Sequence, residues 1–369
     1  MKLRLHLLLA GAAAIVLGST PALAKDTRLV VVGPMSGQYA NYWPQIEDGA
    51  KAALLDVNEN GGINGGKLII DYADDACDPK QAVSVANRNA QEGYDAVIGH
   101  FCSGSSIAAS DVYDEDGILM ISGASVNSTL TDRGMPYVFR TVGRDDQQGK
   151  AAAETILSGK YGKSVAMVHD KSAFGKGLVD KTKHFLGEGG VKPVYEDSIT
   201  AGENDYSALV TRLVSEGVDI LYFGGYHREA GLIIRQARDA GFKGVFISGD
   251  GIKAQEFATV AGEASNGVLF TFFPDARKNP EAQGALKRLK EIGSAGDGFT
   301  LYIYAAIQAY AHASNSAGST KAEAVAKALR SETVSTVVGP LKFNEKGDVD
   351  RNLYQVYKWQ NGEIVLAAN

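Results

Sequence analysis

The chain has only two cysteines among its 369 residues, Cys77 and Cys102. Neither belongs to a paired-cysteine motif, so a thiolate metal site is a poor reading. There is no G-x-S-x-G elbow and no H-E-x-x-H pair, which removes the strongest single-motif arguments for a hydrolase or a zinc peptidase. Long runs of one charge sign are also missing. The 37 basic and 43 acidic residues leave a formal net charge of −6, which argues against nucleic acid or an anionic membrane as partner. Beyond the first two dozen residues no apolar stretch is long enough to cross a bilayer.

What is present is the material of a soluble globular protein of about two domains: 45% hydrophobic, 22% charged, with 43 glycines, enough for sizeable cores. The first residues differ. Lys2 and Arg4 precede an apolar run from Leu7 to Leu17, and Ala22-Leu23-Ala24 supplies small residues at a cleavage position. Residues 1–24 are read as a cleaved secretory signal, with the mature chain starting at Lys25 in an oxidising compartment. No cysteine stands at the junction to carry a lipid. In such a compartment Cys77 and Cys102 can join, closing a loop of about 26 residues with roughly 3 kcal/mol of chain-entropy stabilisation.

Short β-branched runs alternate with amphipathic stretches at intervals of about 30 residues, the pattern of repeated βαβ units around a parallel sheet. RLVVVG (28–33) reads as a buried strand. Ile46, Ala50, Ala53, Leu54 and Val57 then share one helical face, which Gly61-Gly62 ends. KLIID (67–71) is the next strand, and Asp78-Pro79 opens a helix running to Gln91. DAVIG (95–99), ILMIS (118–122), VAMVH (165–169), DILYFG (219–224) and VFIS (245–248) continue the series. The expected architecture is α/β, doubly wound, twice over. No linker of biased composition separates the halves; the stretch TVGRD (141–145) is the expected first crossover between them.

Several motifs imitate chemistry. GGINGGKL (61–68) has the spacing of a phosphate loop, but Leu68 cannot hold magnesium and the glycines follow a helix, so a turn is the better reading. Of the six histidines, His100, His169 and His227 fall at strand ends, where an α/β enzyme places catalytic groups. A hydrolase using one of them beside a serine stays open, because triads are spatial arrangements, although structural or rim roles fit as well.

Ligands of open α/β sheets bind beyond the carboxyl ends of the strands, and those ends carry suggestive residues. After DAVIG come Phe101, Cys102 and Ser103, where a helix start with its exposed amides and the Ser103 hydroxyl would suit a carboxylate; a plain helix cap is the alternative. After VFIS, Asp250 stands between two flexible glycines, able to meet an ammonium or simply to make a turn. Tyr42 with Trp43, Phe174 and Tyr226 put aromatics on the remaining loops. Anion cradle, carboxylate and aromatic wall together suit one zwitterionic amino acid with an aliphatic part.

The stretches VVGPMSG, DDACDPKQAVSVAN, VIGHFCSGSS, ASDVYDEDGILMIS, VHDK, ITAGENDYSALV, GGYH, IRQARDAG and VGPLKFNEKGD resemble the periplasmic leucine/isoleucine/valine-binding family of amino-acid ABC importers. The likeness runs from about Arg28 to the C-terminus. It implies a type I periplasmic binding fold: two Rossmann-like lobes with parallel-rich sheets, a three-segment hinge, and ligand held between the lobes. By analogy one lobe takes residues 25–144 with 274–353, and the other 145–273 with 354–369. The resemblance also implies the Cys77–Cys102 disulfide. It further implies a ligand carboxylate on Ser103, an ammonium on the Ala124 carbonyl with Tyr226 and Asp250, and a side-chain pocket walled by Tyr42 and Phe174.

Three departures bear on the ligand. Relatives that take branched-chain ligands usually carry threonine where Val126 stands, leucine for Phe101 and glutamate for Asp250. The expectation is that small amino acids such as alanine, proline or 4-aminobutyrate compete well with leucine or win. The resemblance implies a monomeric periplasmic protein, not an enzyme and without cofactor or metal, that delivers its ligand to a permease and its ATPase. A secreted hydrolase, or a periplasmic sensor for a signalling receptor, is the alternative.

Overall fold

A computed structural model describes residues 25–350 and 354–367; the signal peptide read at 1–24 lies outside the described residues. The chain builds two sheets. The first alternates strands β1 (Thr27–Gly33), β2 (Leu68–Asp74), β3 (Ala96–Ile98), β4 (Leu119–Ser122) and β5 (Val138–Arg140) with helices α1 (Trp43–Glu59), α2 (Pro79–Glu92), α3 (Ser103–Glu115) and α4 (Thr129–Asp132). All its strands are parallel, in the order β2-β1-β3-β4-β5.

The second sheet follows α5 (Asp145–Leu157). It alternates β6 (Val165–His169), α6 (Ala173–Glu188), β7 (Tyr195–Ser198), α7 (Ser207–Ser215), β8 (Ile220–Gly224), α8 (His227–Asp239), β9 (Val245–Ser248), α9 (Gln255–Ala261) and β10 (Leu269–Phe272). The chain then returns to the first sheet through α10 (Gln283–Glu291), α11 (Thr300–Ala317), α12 (Ala322–Ser331) and a small ribbon, β11 (Thr333–Val334) with β12 (Leu341–Lys342). It ends on the second sheet with an antiparallel hairpin, β13 (Gln355–Gln360) and β14 (Glu363–Leu366). The order there is β7-β6-β8-β9-β10-β13-β14. Leaving out that hairpin, both sheets repeat one doubly wound order, 2-1-3-4-5, in which each half has a switch point beside its first strand. This is the α/β architecture of two parallel-rich lobes that the repeated βαβ pattern predicts.

The local reasons match the sequence. Val30, Val31 and Val32 are buried on both faces of β1, as a parallel strand covered by helices requires. Asp78 caps α2 by accepting the Gln81 amide at 2.8 Å, with Pro79 at the first helical position. Gly61 and Gly62 leave α1 with φ of 95° and 74°, so GGINGGKL is a helix end and a turn. The main chain passes between the sheets after Arg140, after Phe272 and again before Gln355.

The first and third of these passages are tied by charge. Arg140, fully buried, has Nε 2.7 Å from Asp348 Oδ1. Arg144 Nη1 lies 2.8 Å from the other oxygen of Asp348 and also pairs with Asp132.

Candidate functional site

The carboxyl ends of the two sheets face each other, and the loops after β1, β3 and β4 meet those after β6, β8 and β9. On the first side, Cys77 and Cys102 are joined in a disulfide with Cα atoms 5.4 Å apart, which ties the loop after β2 to the start of α3. Ala76 and Cys77 have φ of 48° and 56°. The carboxylates of Asp74 and Asp75 stabilise this left-handed backbone by accepting the amides of Ala76 and Cys77, each at 2.9 Å. His100 completes the brace: its Nδ1 is 2.6 Å from Asp75 Oδ2 and its Nε2 3.1 Å from the Tyr113 hydroxyl, all buried.

Cys102, not Ser103, is the N-cap of α3, and it gives the first turn no side-chain hydrogen bond. The capping alternative for Ser103 is therefore set aside. Ser103 is the first helical residue; its buried hydroxyl accepts the Asn127 amide at 3.3 Å and keeps its own proton to give. The neighbouring loop is held from beneath. Ser125 Oγ donates to the Phe101 carbonyl at 2.9 Å, and Arg140 Nη1 donates to the carbonyls of Ser125 and Asn127 at 2.9 and 3.0 Å.

On the second side Asp250 follows β9 and Gly249. Its Oδ1 accepts Gln148 Nε2 at 2.9 Å, and the same nitrogen donates to Thr271 Oγ1 at 3.0 Å. Asp250 is 2% exposed and has no ion-pair partner among the described residues. Burial pushes its carboxyl up to about 7. The glycines beside it are there for space, not for flexibility as the sequence suggests. A Cβ on Gly249 would stand 2.3 Å from Leu178 Cδ2, and one on Gly251 2.8 Å from the Phe174 ring. Tyr226 is the N-cap residue of α8, its ring 5.0 Å from Phe174 and 4.5 Å from Tyr39 between centroids.

These loops enclose a small cavity of about 260 Å³ of atom-free space. Of the residues named from sequence, Tyr42, Phe101, Ser103, Ala124, Phe174, Tyr226 and Asp250 line it. Val126 does not; it is buried and its carbonyl accepts the Asp145 amide at 2.8 Å. Gly251 and Phe299 complete the wall. Phe299 arrives on the return from the second sheet to the first, just ahead of α11, and nothing in its local sequence points to the cavity. Gln148, one turn into α5, is likewise invisible until Asp250 is seen to need it.

His227 is buried beside the cavity, with Nδ1 3.1 Å from the Tyr42 hydroxyl. His169 Nδ1 accepts the Lys171 amide at 3.0 Å. The ring contacts recorded for the three strand-end histidines go to Asp75, Tyr113, Tyr42 and Lys171, not to a serine hydroxyl. A larger hollow, about 1500 Å³ of atom-free space, lies between α5 and the β13–β14 hairpin, but its charged groups, Glu154 and Lys160, are exposed to solvent. Among the described residues there is no cluster of His, Cys, Asp or Glu able to hold a metal ion, and no helix is long and apolar enough to cross a membrane.

Residues 26–363 match the model of a family described as periplasmic binding protein. The chain is 47% identical over 336 residues to Leu/Ile/Val-binding protein homolog 1 of Brucella melitensis, covering 90% of this chain and 91% of that one. It is 44% identical to an amino acid binding protein of Pseudomonas aeruginosa, covering 93% and 92%. Its fold superposes on the crystal structure of a leucine binding protein, LivK, from Thermotoga maritima with a TM-score of 0.86 at 27% identity, covering 93% of this chain and 98% of the other.

Proposed function

Because the chain belongs to the periplasmic binding protein family, we propose that it is the solute-binding component of an amino-acid ABC importer of the leucine/isoleucine/valine type. It works in the periplasm after loss of the signal at 1–24. One lobe comprises residues 25–144 with 274–353 and the other 145–273 with 354–369. The ligand is one aliphatic amino acid held between them and passed unchanged to a membrane permease driven by an ATPase.

The observation that carries this reading is the pairing of opposite electrostatic characters across one enclosed cavity. On one side the amides that open α3 and the Ser103 hydroxyl offer donors to a carboxylate. On the other, Asp250 is a buried carboxylate balanced by one neutral amide. A buried charge without a counter-ion is costly, and an ammonium beside Asp250 removes that cost. The Ala124 carbonyl and the Tyr226 hydroxyl complete the ammonium's partners, and Tyr42, Phe101, Phe174 and Phe299 form an apolar sleeve for the aliphatic part.

Each lobe contributes one half of the ligand's contacts, so only the closed arrangement satisfies both ends of a zwitterion. Closure is then favoured by the contacts it adds. The residues around the cavity support binding without turnover, since their buried histidines already have partners. Phe101 narrows the aliphatic end, and Asp250, one methylene shorter than a glutamate, shifts the preferred position of the ammonium; together they favour small or differently spaced ligands. Calorimetry of ligand-stripped mature protein against leucine, valine, alanine, proline and 4-aminobutyrate tests this: at least one of the last three is expected to bind within about tenfold of leucine or more tightly. Binding of none of the five would contradict the reading.

A further inference from the structure

The lobes also hold one another directly, and one of these contacts lies in the wall of the cavity. The Tyr42 hydroxyl, on the first lobe, donates to the Gly251 carbonyl on the second at 2.6 Å. Its single proton is thereby used, so at 3.1 Å from His227 Nδ1 the same oxygen accepts, and His227 carries its proton on Nδ1. The two rings meet edge to face, 5.2 Å between centroids, while Tyr42 leans on Phe101 of its own lobe at 4.8 Å. Tyr42 is fully buried and His227 nearly so. Gly251 directly follows Asp250, and so the hydroxyl anchors the stretch of backbone that presents the buried carboxylate.

We infer that the Gly251–Tyr42–His227 bridge is a latch between the lobes, in which His227 positions the Tyr42 hydroxyl, and that it sets how long ligand stays bound. This rests on the proposed closure about an amino acid. The bonds of the latch run from protein to protein and form only when the lobes meet, so they stabilise the closed arrangement whatever the ligand. Encounter with the open cleft does not use them. Escape requires both bonds to break in a buried place, where an unpaired carbonyl or hydroxyl is costly. Loss of the latch therefore raises the dissociation rate and leaves association nearly unchanged, the usual division for contacts made after encounter.

The test is stopped-flow binding of whichever of leucine, valine, alanine, proline and 4-aminobutyrate bind the wild type, with small-angle scattering of the ligand-stripped protein. Tyr42→Phe keeps the ring and removes the hydroxyl; dissociation is expected to speed up about tenfold with association changed less than about twofold. His227→Phe should speed dissociation in the same direction. The double variant should be no faster than Tyr42→Phe alone, because both act through one hydroxyl. His227→Asn, which returns an N–H donor near Nδ1, should recover most of the wild-type rate. Without ligand, Tyr42→Phe should have a larger radius of gyration than the wild type. Unchanged dissociation in Tyr42→Phe, independent additive effects in the double variant, or identical scattering of the two ligand-free proteins would each overturn the latch. If none of the five amino acids binds wild type, the proposed function fails instead, and scattering alone still decides whether the hydroxyl holds the lobes together.

Discussion

Replacing Asp250 with alanine is expected to weaken amino-acid binding by about 30-fold or more, a loss of about 2 kcal/mol, without unfolding the protein. The size follows from what is left behind. The ammonium would still be stripped of water on closure, but its only anionic partner in the cavity would be gone. Stability should move the other way, because the free protein no longer carries an uncompensated buried carboxyl.

The same group predicts a pH dependence. Burial raises its pKa to about 7, far above the ordinary carboxyl range. Below that value the free site is mostly protonated and ligand must displace the proton, so affinity falls as the solution becomes acidic. From this group alone, binding at pH 5 should be on the order of 100-fold weaker than at pH 8, and Asp250→Ala should abolish that slope. The effect on folding has the opposite sense: a raised carboxyl costs the ligand-free fold stability as pH rises from the unfolded pKa near 4 to the folded value, with no further change above it. Calorimetry across pH, on both proteins, reads all of this. A flat profile in the wild type would remove Asp250 from the site.

Replacing Arg140 with methionine should be the most damaging single change away from the cavity, lowering stability by about 3–5 kcal/mol in denaturant unfolding. The guanidinium lies wholly within the protein, 2.7 Å from Asp348, and donates to the Ser125 and Asn127 carbonyls and to Thr131 Oγ1. Its removal leaves Asp348 with Arg144 as its remaining cationic partner and frees two carbonyls in the loop that bears Ala124. Affinity should fall as well, since that loop carries the Asn127 amide that meets Ser103. Lys346→Ala, which cuts an exposed pair with Asp132, should change little in comparison. An Arg140→Met protein as stable as the wild type would show that the tie between the first and third passages is dispensable.

How much of this was legible beforehand depends on locality. VAMVH and VFIS mark β6 and β9 to the residue, because strands buried on both faces read as continuous apolar runs. β7, with the sequence YEDS, was unreadable: it lies at an edge and is only partly buried. The closing hairpin carries its own turn signal. Asn361 and Gly362 have φ of 52° and 77°, the left-handed pair that an Asn-Gly turn supplies between two strands.

Around the cavity, residues just beyond a strand end, such as Ser103, Tyr226 and Asp250, could be picked out because topology sends every such loop to one place. Phe299 and Gln148 could not, since they approach from the crossings between the sheets, Gln148 on α5 after the first and Phe299 just ahead of α11 after the second. Val126 sits one step past the wall in a loop whose course no pattern reveals. His100 has a catalytic address but a structural use, because Asp75 and Tyr113 take both of its ring nitrogens.

If one guest is held by both its charges, removing them one at a time should cost affinity each time. Calorimetry should compare leucine, or whichever amino acid binds best, with its deaminated acid and its decarboxylated amine; for leucine these are 4-methylpentanoate and 3-methylbutylamine. Each analogue leaves either Asp250 or the start of α3 facing apolar surface, so both should bind at least about 100-fold more weakly than the parent. A deaminated acid that binds within about tenfold of its parent would contradict the account.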